Sequence, residues 1–176
     1  MPVSDAVDEQ VLDLRPFGVQ ARVTTSSSAT GGEYVEMDCT AAPGAGTIIH
    51  YHPEQEETFR VLEGRLDVLS DGQWRPVQAG ETHATPPGAI HAWRNAGQSP
   101  LRFLNVHRPA LGFQEHMETL DRLVRSGKVR GMRDVQSLIY MSMSAVKHRP
   151  DVGVRPPQWL VETLAFIGRR LGYTLD

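Results

Sequence analysis

Two histidines one residue apart open the stretch HYHPEQEETFRVLEG, residues 50–64, with adjacent glutamates behind them and a closing glycine. On a β-strand successive side chains alternate between faces, so His50 and His52 would point the same way. Two imidazoles on one face arise often by chance. Taken alone, the segment reads equally as an acidic surface hairpin or as half of a metal site. Glu57 favours the metal site: it begins a second β-prone run, ETFRVLEG, that can return beside the first and present its carboxylate to the same point. Glu54 and Glu56 read as solvent-facing loop charges, because acidic groups are seldom buried unpaired.

A second stretch, GETHATPPGAIHAWRN, follows at residues 80–95. In the first stretch Gly44 precedes five residues, then His50-x-His52, four residues, Glu57, six residues and Gly64. In the second, Gly80 precedes five residues, then Pro86-x-Gly88, two residues, His91, three residues and Asn95. Over roughly residues 40–108 the chain therefore resembles the paired motifs of the cupin superfamily at every defining position. The resemblance implies a mainly β protein built on a small antiparallel barrel, the double-stranded β-helix or jelly roll. It also implies one divalent metal ion held by His50, His52, Glu57 and His91, none of which is replaced. Gly44, Gly64, Gly80, Pro86 and Gly88 would then serve turns.

Ligand chemistry agrees with that implication. Three neutral imidazoles and a carboxylate suit Fe, Mn, Co, Ni, Cu or Zn, and Glu57 offsets one of the two positive charges. Octahedral coordination would leave two positions open, as in a reactive centre. Alternation from the ligands places Ile48 in phase with the His pair, Phe59 and Val61 with Glu57, and Trp93 with His91. In LRFLNVH, the wet face is read as the one carrying Arg102, which turns Phe103, Asn105 and His107 inward. Arg60, Arg94 and Arg102 fall in the opposite phase. The expected cavity thus has apolar and aromatic walls and no fixed cation, which disfavours phosphosugars. A mainly apolar molecule that meets the metal through an enol, phenol or ketone oxygen fits better. Ile48, Phe59, Val61, Trp93, Phe103 and Asn105 are the expected substrate contacts. Glu57 and His107 are the catalytic candidates, the latter because an inward imidazole can shuttle protons. Cys39 has no evident activating partner and reads as a small buried hydrophobe.

The elements that must position these groups are legible in outline. From Glu33 to Val106 short β-prone runs alternate with Gly, Pro and Asp-Gly, and SDGQ at 70–73 is the clearest hairpin turn. Beyond Pro109 the period becomes helical. Phe113, Met117, Leu120 and Val124 share one face, a middle helix is expected over about 134–147, and Leu160, Leu164, Ile167 and Leu171 repeat the spacing of the first. Pro156-Pro157 suits the start of the last helix and Gly172 its cap. These stripes read as packing faces, against the barrel or a second subunit. The expected organisation is an N-terminal segment (1–30), the barrel (31–109) and a C-terminal helical extension (110–176).

Composition narrows the functional classes. The net charge is −3, with 8 basic against 14 acidic residues up to 110 and 10 against 7 beyond it. No concentrated basic face or helix-turn-helix pattern suggests nucleic acid. The single Cys39, the lack of a basic start followed by an apolar run, and the absence of 18 consecutive apolar residues lead to the expectation of a cytoplasmic protein that does not use a membrane. A homodimer is expected, since symmetric pairing covers a barrel face. The function that follows is a metal-dependent small-molecule enzyme. Dioxygenation is favoured over redox-neutral isomerisation or cyclisation of the polyketide-cyclase kind. A non-catalytic small-ligand-binding or sensory barrel is the rival from another class.

Overall fold

The computed structural model describes residues 10–155 and 157–176. Eleven strands and three helices follow in order: β1 (Val11–Leu14), β2 (Val19–Thr25), β3 (Val35–Ala41), β4 (His50–Tyr51), β5 (Glu56–Glu63), β6 (Arg65–Ser70), β7 (Gln73–Gln78), β8 (Thr82–Thr85), β9 (Ala92–Arg94), β10 (Leu101–Arg108), α1 (Phe113–Arg125), α2 (Val135–Lys147), β11 (Gly153–Val154) and α3 (Gln158–Arg170). One antiparallel sheet runs β1-β2-β3-β10-β5-β8, a second β7-β6-β9, and β11 pairs with β4. This is the mainly β, cupin-type barrel with C-terminal helices that the motifs imply. The expected boundary at residue 31 falls inside the large sheet, because β1 and β2 pair on from β3 as its outer strands.

Alternation does most of the building. β10 is buried at every second residue, Leu101, Phe103, Asn105 and His107, with Arg102 turned out onto Asp38. β3 opposes it with Val35, Met37, Cys39 and Ala41 inward, and β5 with Glu57, Phe59 and Val61. Leu66 and Val68 of the smaller sheet join this core. The Asp71-Gly72 corner between β6 and β7 has both residues at positive φ, 52° and 75°. That is the backbone a two-residue hairpin needs to follow the strand twist.

The helices stand where the 3.6 period puts them. Asp134 caps α2 by accepting the Ser137 N–H at 2.8 Å. At the end of α3, Gly172 lies at φ 76°, and the N–H groups of Gly172 and Tyr173 return to Arg169 O and Gly168 O. This closes the helix in a Schellman turn. Pro156 lies outside the described residues. Phe113, Met117 and Leu120 of α1 pack on the barrel core, as their spacing suggests. Asp121 accepts the Asp13 N–H at 2.6 Å, so α1 also covers the edge strand β1.

The last helix departs from its reading. Val161, Ala165 and Gly168 are its buried face, while Leu160, Ile167 and Leu171 stay 38, 39 and 61% exposed. Of the expected stripe, Leu164 alone is drawn inward, against Ile139, Met143 and Ala165. The reason is steric. A Cβ on Gly168 would lie 2.5 Å from Met143 Sδ and 2.7 Å from Ile139 Cγ2, so the small residues permit a close α2–α3 approach that the leucines cannot. Gly168→Val is expected to destabilise the fold by about 1–3 kcal/mol, and Leu171→Ser by less than about 0.5 kcal/mol. Urea unfolding midpoints read the two, and the reverse ranking would contradict this assignment of faces.

Candidate metal centre

The site begins with a backbone bridge. His50 and His91 exchange both main-chain hydrogen bonds, N–H to O at 2.9 Å in each direction, which sets their side chains next to each other. On the other side of His50 stands Val154 of β11, opposite in register, with Gly153 opposite Tyr51. β5 contributes Glu57, which lies between Thr85 of β8 and His107 of β10. His50, His52, Glu57 and His91 are all buried, and one ligand atom of each lies within 4.8 Å of the others. The four residues of the motif therefore meet at one point.

Each imidazole is aimed by its other nitrogen. Nδ1–H of His50 donates to Ile48 O at 2.9 Å, that of His91 to Ala89 O at 2.9 Å, and that of His52 to Asp151 O at 2.7 Å. These carbonyls leave the Nε2 lone pairs of all three rings facing the carboxylate. Glu57 Oε2 is 2.6 Å from His91 Nε2, 3.5 Å from His52 Nε2 and 3.9 Å from His50 Nε2. His52 Nε2 is buried with no hydrogen-bond partner. Four acceptors turned on one another, one of them an orphan, repel unless a cation or a proton sits among them. The donor set thus fits a divalent ion held by these four side chains.

The charge states agree. Burial works against the Glu57 carboxylate, but the imidazoles around it, His107 first and then His52 and His91, hold it well below the usual range. Burial pushes His50 down to about 4 despite Glu57, which keeps its ring neutral. In His91 burial is outweighed by the hydrogen bond and charge of Glu57, and the ring is raised above the ordinary histidine value. Where no metal stands, the 2.6 Å contact holds a proton in its place. Asn105 fixes the other carboxylate oxygen, its Nδ2–H donating to Oε1 at 2.9 Å.

A cavity of about 840 Å³ reaches the centre, with His50, His52, Glu57 and Asn105 on its wall. Trp93, Phe103, Met37, Phe113, Met117, Leu120 and Val161 make it mainly apolar. The expected contacts divide accordingly. Trp93, Phe103 and Asn105 line the cavity. Phe59 and Val61 do not; they are fully buried in the core, Phe59 with its ring 5.9 Å from that of Phe103. Alternation told inside from outside but not the open part of the interior from the filled part. Ile48 lines the cavity too, from a 40% exposed position in residues 47–49, which are not strand. His107 lies behind the carboxylate, Nε2 3.3 Å from Glu57 Oε1, under the stacked ring of Phe113 at 3.4 Å. It bears on Glu57 and not on the cavity, and burial lowers it to about 4. Arg60 and Arg102 point out, whereas Arg94, stacked over Trp74 at 3.9 Å, borders the mouth.

Four further residues belong to the site. Asp151 orients His52 through its carbonyl, Gly153 supports the ligand strand, and Phe113 and His116 face the centre from α1. A carbonyl carries no sequence signal, so Asp151 was unreadable. The i, i+3, i+4, i+7 run Phe113, His116, Met117, Leu120 was visible, with a histidine set into an apolar stripe.

Residues 37–107 match the family model described as the cupin domain. The chain is 35% identical over 82 residues to the polyketide synthase CurC of Streptomyces cyaneus, which covers 44% of this chain and 51% of that protein. It is 27% identical over 73 residues to the quercetin 2,3-dioxygenase of Bacillus subtilis, covering 42% of this chain and 22% of that one. The chain thus spans about half or less of these two relatives. Among solved structures, a predicted oxalate decarboxylase from Thermotoga maritima superposes with a TM-score of 0.50 at 25% identity, over 52% of this chain and 80% of that one. The matched family segment stops before α1, so the helical wall of the cavity lies outside it.

His91→Ala is expected to weaken metal retention at least about 100-fold with the barrel intact, since it removes a ligand and leaves the core untouched. Elemental analysis and far-ultraviolet circular dichroism check the two halves of that statement. A Cβ on Gly153 would lie 2.2–2.6 Å from ring atoms of Tyr51. Gly153→Val is therefore expected to weaken metal affinity about 10–100-fold through the ligand strand, as read by chelator competition. Unchanged affinity would show that β11 does not support the centre.

Proposed function

Residues 37–107 being a cupin domain with its full ligand set buried at the floor of an apolar cavity, we propose that the protein is a metal-dependent enzyme acting on a mainly apolar, oxygen-bearing small molecule, and that the reaction is dioxygenation. The observation that carries this reading is the convergence of His50, His52, His91 and Glu57 on one point open to the cavity. A structural site would be closed by protein on all sides; this one is reached by about 840 Å³ of space. The likeness to the quercetin dioxygenase supports the choice of reaction.

A bound divalent ion would supply a Lewis-acid anchor for an enolate or phenolate oxygen and, with a redox-active metal, a place for dioxygen to react. The chain's own groups do the rest. Trp93, Phe103 and Met37 hold the apolar body and exclude water. The ionised Glu57 is the base nearest an entering hydroxyl, with Asn105 holding its second oxygen still. His107, neutral behind it, offers Nε2 to the same carboxylate.

Redox-neutral cyclisation is the second reading, favoured by the likeness to CurC. Pairing of two copies belongs to the proposal as well; what supports it is the pair Trp159 and Phe166 on one face of α3, which the single chain leaves 67 and 56% exposed. Among the described residues, no helix is long and apolar enough to cross a membrane.

Protein purified without added metal is expected to carry about one transition-metal ion per chain, as one four-ligand site holds one ion. An oxygen electrode should then record consumption that depends on a diketone, flavonoid or catechol substrate. Turnover of such a substrate without oxygen uptake would transfer the assignment to the cyclase reading. Metal neither present nor taken up on titration would sink both.

A further inference from the structure

The outer face of a solvent-facing helix is normally polar, and that of α3 is not. Val161, Ala165 and Gly168 turn inward, the last two onto α2. On the opposite side Trp159, Thr163, Phe166 and Arg170 follow at i, i+4, i+7 and i+11, all of them exposed. Glu162 and Arg169 border this stripe. Two large aromatic rings therefore stand on a surface that nothing in the single chain covers.

The polar groups of the stripe have a pattern of their own. Thr163 Oγ1–H donates to Trp159 O at 2.7 Å, so its hydroxyl is satisfied within the helix. The Arg170 guanidinium lies over Phe166, 5.9 Å from the ring centroid. Glu162, the one acid of α3, meets Arg149 at 2.8 Å, and both side chains remain about half exposed. Among the described residues, neither Arg169 nor Arg170 has an ion-pair partner. The helix thus carries its acid in the first half and two unpaired cations at its end.

An occupant of this face must offer apolar surface to the rings, a cation to Glu162 and an anion to the arginines. A second α3 running antiparallel offers all three. With a two-fold axis through Phe166, residue 166 − n of one helix faces residue 166 + n of the other. Phe166 then meets its own copy, Glu162 meets Arg170 of the second copy, and Thr163 meets Arg169, each relation occurring twice. The two helix dipoles also oppose one another. An axis between Glu162 and Thr163 would instead set Arg170 against Arg155, a clash of like charges. An anionic lipid surface would suit the arginines and the rings but would repel Glu162.

We propose that the outer face of α3 is a self-association surface: two copies of the chain pair through antiparallel α3 helices centred on Phe166, with Glu162–Arg170 ion pairs on either side of the axis. This rests on the pairing proposed above and adds its surface and register. Val161, on the inner side of the same helix, lines the cavity. Each copy therefore braces the cavity wall of the other from outside without entering it. A single helix pair is a small interface, so the dissociation constant is expected on the order of 10 μM.

Sedimentation velocity of the native protein at about 100 μM, roughly tenfold above that constant, is expected to show a dimer. Phe166→Cys, oxidised with diamide, is expected to give a disulfide-linked dimer on a non-reducing gel, since Cys39, the only other cysteine, is buried. Trp159→Cys lies on the same stripe and is expected not to link. Its two copies would stand 14 positions apart, about 21 Å along the axis at 1.5 Å per residue, beyond the reach of a disulfide. Glu162→Arg and Arg170→Glu are each expected to raise the dissociation constant about 10-fold, and the two together to return it to within about threefold of native. All these positions are exposed, so the fold is retained, as circular dichroism checks. The proposal is overturned by a monomeric native protein, by no link in Phe166→Cys, by equal linking in Trp159→Cys, or by no recovery in the double charge reversal. Association of the native protein with phosphatidylserine vesicles that Phe166→Glu abolishes would assign the face to a lipid surface, and also overturns it. None of these readouts depends on metal, so their failure leaves the enzyme reading standing. A native monomer removes the pairing altogether, whereas a dimer without the cysteine link removes this surface alone.

Discussion

A carboxylate that is buried and ionised must be surrounded by positive charge or by donors, because removing it from water costs several kcal/mol. Glu57 is in that position, and much of the architecture answers it. Three rings face Oε2, Asn105 donates to Oε1, and His107 backs the group from below. The three rings in turn are held by carbonyls that fix their tautomers. Apart from Asn105 and a proton shared with His91, the arrangement is short of donors, which is what makes a cation the natural completion.

How much of this could be read beforehand depended on the kind of signal. The barrel and the convergence of His50, His52, Glu57 and His91 were legible through the family resemblance of their motifs, and the Asp71-Gly72 corner through turn chemistry. Residues 134–147 gave their helix through spacing, a local property of the chain. Phe59 and Val61 were placed inside correctly but on the wrong part of the interior, since alternation cannot tell a filled core from an open cavity. Ile48 lines the cavity as expected, but from a loop and not from a strand. In α3 the larger side chains suggested the packing face, whereas Ala165 and Gly168 allow α2 to come close and the leucines remain outside. Asp151 had no signal at all, because its contribution to His52 is a main-chain oxygen.

The C-terminal extension is more than a brace. It supplies the third hydrogen bond that aims the ligands, the strand that pairs with His50–Tyr51, and the wall facing the centre across the cavity. Gln55 tightens the same junction, its Nε2 donating to Pro109 O and Ala110 O at 3.0 and 2.8 Å. The barrel provides the ligands, and the helices decide what else can stand beside them.

The hydrogen bond from His52 to Asp151 joins residues 99 positions apart, and it has a consequence in time. Contacts that distant form late, because the intervening chain must be ordered before they gain anything. On a ribosome the sheet strands emerge and pair well before β11 exists to flank His50. The imidazole of His52 therefore acquires its final aim only once Asp151 has been made and folded back. Assembly of the four-residue cluster is in this way tied to the segment that follows α2, so that a nascent fragment with a folded barrel does not yet present the finished cradle.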